Sequence, residues 1–95
     1  MIPKNSFPAA LRSVRKSRGL SQEAFSDVSS RTYMSSLERG LKNPTLSKVD
    51  ELCEVMQVHP LTLLALTYGV NAKGADQLLA RVQRELAALH QVPDD

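Results

Sequence analysis

The chain has 95 residues, 42% hydrophobic and 4% aromatic, with no Trp and a formal net charge of +2. That makes one small domain around an aliphatic core, and its longest apolar run, Leu61 to Leu66 with Thr62 inside it, is far too short to span a membrane. No N-terminal stretch joins a basic start to an apolar block and a cleavage site, and one cysteine closes no internal disulfide, so a protein of the reducing cytoplasm is expected.

Met1 to Pro8, with its two prolines, reads as a loose arm. Pro8 to Arg18 predicts a first helix, with proline at its start, Leu11 and Val14 on one face, and Gly19 as its stop. Ser21 is a good cap for a second helix, Gln22 to Val28, which turns Ala24, Phe25 and Val28 inward. Ser29 and Ser30 break the pattern, Ser30 being the favoured cap of a third helix that ends at Gly40. Its inward residues are Met34 and Leu37, which leaves Arg31, Thr32, Ser35 and Ser36 facing out and Tyr33 at the edge.

The loop Leu41-Lys42-Asn43-Pro44 leads to Thr45, the cap of a fourth helix whose apolar stripe is Leu46, Val49, Leu52, Cys53 and Met56. His59-Pro60 opens a fifth helix carrying Leu61, Leu63 and Leu64, with Leu66 at its margin. Tyr68 to Gly74 punctuates the chain again. Beyond it, Ala75 to Gln91 predicts a last helix. Ala75, Leu79, Val82, Leu86 and Leu89 recur at alternating spacings of four and three, the seam of a short coiled coil, and Leu78 widens it. Pro93-Asp94-Asp95 reads as a frayed tail. No strand pattern or repeat is present, so the fold class is all-α with six helices.

Charge is spread unevenly. Residues 1–43 carry eight Lys or Arg against three acids, whereas residues 44–95 carry four against seven. A basic half joined to a mildly acidic one suits a protein with one face toward a polyanion, although splits of this size also arise in many small proteins.

Leu20-Ser21-Gln22-Glu23, Tyr33, Leu37-Glu38-Arg39-Gly40, Asn43-Pro44-Thr45-Leu46 and Val58-His59-Pro60-Leu61 together resemble the Cro/Xre-type, lambda-repressor-like helix-turn-helix family. The likeness covers Phe7 to Leu66, and the ordered set with its spacings carries it. It implies a five-helix DNA-binding domain, here with an extra C-terminal amphipathic helix, acting as a homodimer on an inverted-repeat operator of double-stranded DNA. The helix-turn-helix domain is expected over residues 7–68, with a linker and dimerisation helix over 69–95. Location would be cytoplasmic, on the bacterial nucleoid when bound.

A reading helix offers its N-terminal residues and one outward stripe to base edges. That implies base contacts from Arg31, Thr32 and Ser36: arginine can bond both acceptors of guanine, and threonine can meet a thymine methyl. Ser35 falls near the sugar-phosphate rim. Gln22 matches the family position that holds a phosphate and braces the reading helix, while Arg39, Lys42 and Asn43 would flank the other strand. Tyr33 is balanced between a backbone contact and packing on the second helix. Glu38 would be awkward beside DNA, but in similar proteins it pairs with an arginine late in the first helix, which maps to Arg15. One departure stands out. Only Asp27, Val28 and Ser29 separate Ser26 from Ser30, two residues fewer than the family's usual spacing, and the customary turn glycine is missing. Either the second helix is shorter or the turn is tighter, which leaves the register of the third helix, and Thr32 against Tyr33 as base reader, open.

Other chemistry finds little support. Cys53 reads as a small buried thiol, His59 as a cap, and His90 as a helix-end residue. Two histidines and one cysteine at no ligand spacing imply no metal. The serines lack nucleophile-elbow glycines and an acid-base partner, so neither an enzyme nor a cofactor is expected. The last helix has three readings: dimerisation through Leu79, Val82, Leu86 and Leu89, docking of a different protein partner as in antitoxin-like regulators, or packing over Leu63 and Leu64 of its own domain.

Overall fold

A computed structural model describes residues 6–90, the side chain of His90 excepted. The first five residues of the expected arm, Gln91, the tail Pro93-Asp94-Asp95 and the role assigned to His90 lie outside the described residues. Everything described is helix, turn or loop. Helix α1 runs Ser6–Ser17, a single 3-10 turn covers Gln22–Phe25, and α2 (Arg31–Glu38), α3 (Leu46–Met56), α4 (Pro60–Thr67) and α5 (Ala72–His90) follow. The all-α expectation holds. Pro8 sits inside the first turn of α1, where a missing N–H costs nothing, so Ser6 to Pro8 are helical and not part of an arm.

The caps explain most of the boundaries. Ser30 Oγ accepts from Tyr33 N at 3.0 Å, and Thr45 Oγ1 accepts from Lys48 N at 3.1 Å. His59 Nδ1 accepts from Leu61 N at 3.0 Å, with Pro60 as the first helical residue. Asn71 starts α5 three residues earlier than the sequence pattern predicts, because its Oδ1 accepts from both Lys73 N and Gly74 N. At the far end of α2, Gly40 adopts φ +73°. Gly40 N then reaches Leu37 O and Leu41 N reaches Ser36 O, closing the last carbonyls in a left-handed stop.

Leu11, Val14, Phe25, Met34, Leu37, Val49, Leu52, Cys53, Met56 and Leu63 form one buried core. Helix α1 packs on α4 and α2, while the 3-10 turn packs on α2 and α3. Burial raises the Cys53 thiol pKa, with nearby Asp50 adding to the effect, so the group stays protonated and unreactive.

Three packing expectations are corrected. The second helix is a four-residue 3-10 turn followed by the bend Ser26–Val28, not an α-helix to Val28. Three residues per turn place Gln22 and Phe25 on one side, so Ala24 is exposed. Leu46 is 78% exposed, on the rim of a cleft it shares with Phe7, Pro44 and Leu64, and the buried stripe of α3 begins at Val49. Helix α4 is apolar all round but buries only Leu63 and Thr67, which leaves Leu61 and Leu66 exposed and Leu64 half-buried. Phe25→Ala should therefore cost about 3–5 kcal/mol in urea unfolding. Leu46→Ala should stay within about 0.5 kcal/mol of the parent; equal losses would refute this placement of the core.

Candidate nucleic-acid interface

The helix α2 is built with two unlike faces. Met34 and Leu37 are fully buried on its inner side. At 100° per residue the opposite line passes through Thr32 and Arg39, both exposed, with the half-buried Ser35 and Ser36 on either side. Ser30 as cap and Arg31 as first helical residue settle the register that the short turn left open. Thr32 faces out. Tyr33 lies partly buried against the core, and Lys42 Nζ and Lys48 Nζ stand 5.6 and 5.8 Å from its ring centre.

The inner anchor of α2 is ionic as well as apolar. Arg15 Nε donates to Glu38 Oε2 at 2.6 Å and Arg15 Nη2 donates to Oε1 at 2.8 Å. The two side chains are only 11% and 5% exposed. Arg15 Nη1 also donates to Leu20 O at 2.9 Å, and Gln22 Nε2 donates to Glu38 Oε1 at 3.3 Å. Gly19, at φ +70°, turns the chain so that Leu20 O faces back toward α1. One arginine thus ties α1, the chain before the 3-10 turn and the end of α2 together. Burial works to raise the pKa of Glu38, but hydrogen bonds from Arg15 and Gln22, aided by the charges of Arg15 and Arg12, carry it below the ordinary value. The hydrogen bond to Glu38 outweighs burial at Arg15 and keeps its guanidinium protonated.

The remaining candidates are spread around this anchor. Arg31 is 73% exposed, and its Nη1 lies 3.1 Å from Glu23 Oε1. Such an exposed pair is worth little and can open toward another anion. Gln22 is half-buried with its amide turned to Glu38, and Arg39, Lys42 and Asn43 are exposed. Leu79, Val82, Leu86 and Leu89 lie well away from α2 in the chain, all exposed along one face of α5, so α5 does not use them to cover Leu63 and Leu64.

Sequence reasoning missed Lys48. From α3 its Nζ donates to Val28 O and pairs with Glu51 at 2.9 Å. The tight bend Ser26–Val28 is held from one side by Val28 N and Ser29 N, both bonded to Phe25 O at 2.9 Å, and from the other by this lysine. The sequence showed a turn with no glycine, two residues short, but nothing in it pointed to Lys48 as the group that closes it. The pairing of Arg31 with Glu23 left no sequence signal either.

The depressed pKa of Glu38 predicts an acid limb in stability. Its contribution is complete above the ordinary glutamate value of about 4.5 and is lost as pH falls through the lower folded-state value. Glu38→Gln should be less stable than the parent by about 2 kcal/mol near neutral pH. That gap should narrow as the medium is acidified below about pH 4.5 in a urea-unfolding series. A gap independent of pH would contradict the ionic anchor.

Among the described residues no helix is long and apolar enough to cross a membrane, and no cluster of three metal-ligating side chains forms. No curated relative matches the chain. A helix-turn-helix family model matches residues 11–63, which takes in the second half of α1, the 3-10 turn, α2, α3 and the first half of α4. The match covers more than half of the chain, and the inward-pinned, outward-polar α2 lies at its centre. The chain belongs to the Cro/C1-type helix-turn-helix family and is a DNA-binding regulator of that type.

Proposed function

We propose that the chain is a sequence-specific transcriptional repressor that binds an inverted-repeat operator as a homodimer. The observation that carries this reading is the outward face of α2: an uncovered, short-chained polar surface on a helix whose other side is locked by Met34, Leu37 and the Arg15–Glu38 pair. A rigid rod with small outward side chains can approach base edges closely, and a major groove about 12 Å wide accepts it.

In this reading Arg31, Thr32 and Ser36 meet the bases. Arg31 exchanges Glu23 for the two acceptors of a guanine, Thr32 offers a methyl and a hydroxyl, and Ser36 adds a short polar contact. Gln22, Tyr33, Ser35, Arg39, Lys42 and Asn43 meet the sugar-phosphate backbone, where contacts set position and salt dependence but carry no sequence information. Repression follows from occupancy, since a bound dimer excludes other proteins from the operator.

The dimer rests on α5. Its 19 residues extend about 28 Å, with Leu79, Val82, Leu86 and Leu89 exposed in a coiled-coil spacing. An apolar cleft of about 340 Å³ between α4 and α5, lined by Leu61, Ala65, Leu66, Val70, Leu78 and Leu79, lies beside that stripe. Packing both surfaces against a second copy would take Leu79, Val82, Leu86 and Leu89 out of water together with the cleft. Two reading helices would then stand about 34–36 Å apart, one turn of duplex. The same stripe also fits a different protein partner, the second reading, and residues 69–95 would serve either as a linker and association helix.

Selection from a random duplex pool should return a palindromic consensus bound at about 10⁻⁸–10⁻¹¹ M at physiological salt. Arg31→Ala should relax preference at one base pair per half-site, by about 1–3 kcal/mol, while Gln22→Ala should weaken all sequences alike. An unchanged preference in Arg31→Ala would refute the base-reading assignment. In sedimentation the parent should dimerise with rising concentration and Leu86→Asp should remain monomeric; a parent that stays monomeric would point to the separate protein partner.

A further inference from the structure

A cleft of about 520 Å³ opens on the other side of the anchor, between α1 and the C-terminal end of α2. Its polar lining is Arg12, Ser13 and Lys16 from α1, with Glu38 and Arg39. Arg12 and Lys16 are four residues apart, so their side chains share one face of α1, where like charges repel and weaken a helix unless an anion sits between them. The ion pairs among the described residues use Arg15, Arg31, Lys48 and Arg81, and none engages Arg12, Lys16 or Arg39. The one carboxylate present is spent, because Glu38 Oε1 and Oε2 are both taken by Arg15 and Gln22. The cleft is therefore a concave site with three cationic side chains and a single carboxylate that is already held by Arg15 and Gln22.

Its position relates it to the reading face. Arg39 belongs to both surfaces, because it ends the outward line that begins at Thr32. The two lie seven positions apart, about 10 Å along the axis. A rod inserted by its N-terminal end into a groove about 8.5 Å deep brings its far end back to the groove wall, where the phosphates run. We infer that this cleft binds a backbone phosphate of the same duplex: the Arg12 and Arg39 guanidiniums meet its oxygens, Lys16 adds a point charge, and the Ser13 hydroxyl donates a hydrogen bond. This rests on the DNA-reading function proposed above and adds α1 to the footprint as a sequence-independent clamp, separate from the phosphate assigned to Gln22.

The test is the salt dependence of binding to the selected duplex for the full chain and for Arg12→Ala/Lys16→Ala, both exposed positions that leave the core intact. The double variant should lose about tenfold or more in affinity at moderate salt, and the slope of log K against log[salt] should fall by roughly one to two. Its base preference should be unchanged. Lys73→Ala/Arg84→Ala removes the same charge from α5 and should leave the slope as in the parent. A double variant with the parent's affinity and slope overturns the cleft while the regulator reading stands, and an equal loss in the α5 control overturns it by reducing the effect to net charge. Inorganic phosphate alone is the companion probe: millimolar binding that shifts the Arg12 and Lys16 resonances, with an unchanged DNA slope, would make the ligand a free anion and overturn the proposal. A parent chain that binds no duplex overturns both readings.

Discussion

The structure turns on how the short helix α2 is held. Eight residues cannot form a stable helix alone, and only Met34 and Leu37 are fully buried from it. The Arg15–Glu38 pair supplies the third attachment, at the opposite end of α2 from the Ser30 cap. Because Arg15 also donates to Leu20 O and Gln22 to Glu38, the same few atoms set the distance from α1 to α2 and the direction in which the chain enters the 3-10 turn. Desolvating a charge pair is costly, and an apolar replacement of the same shape could be as stable. What the pair contributes is position, together with cancellation of a carboxylate that would otherwise stand near a polyanion.

That constraint frees the outer surface for other work. With its inner side fixed by apolar and ionic contacts, α2 can present Thr32, Ser35, Ser36 and Arg39, residues that add nothing to the core, toward solvent. The flanks follow the same economy. Arg31 is parked on Glu23 at the surface, where the pair is weak, while Lys48 closes the glycine-free bend beneath Tyr33. The cationic surface near α2 is thus of two kinds: arginine and lysine that hold the scaffold, and arginine and lysine left without partners among the described residues.

Much of this was legible from residue types. Caps at Ser30, Thr45 and His59, stops at Gly19 and Gly40, and the inward pair Met34 and Leu37 follow from local chemistry that tertiary structure has little reason to override. The failures share a cause. Leu46, Leu61 and Leu66 fit their helical stripes but are exposed, because periodicity shows which face is apolar and not how far the neighbouring element extends. The second helix failed differently: four residues between serines can be α-helical or 3-10, and only the span that α1 and α2 impose chooses the tighter form. Glu38 was understood through its family likeness, since a carboxylate and an arginine 23 positions apart carry no local signal of pairing. Lys48 had no such aid and was missed.

The central claim is that Arg15 and Glu38 act as one unit in placing α2, and a double-mutant cycle in urea unfolding addresses it directly. Arg15→Met and Glu38→Leu should each destabilise the domain by about 3–5 kcal/mol, since each leaves a charge buried without its partner. The double variant should lose far less than their sum, giving a coupling of roughly 2–3 kcal/mol. Losses that simply add, within about 0.5 kcal/mol, would show that the two side chains are neighbours without energetic consequence, and this account of how α2 is held would be wrong.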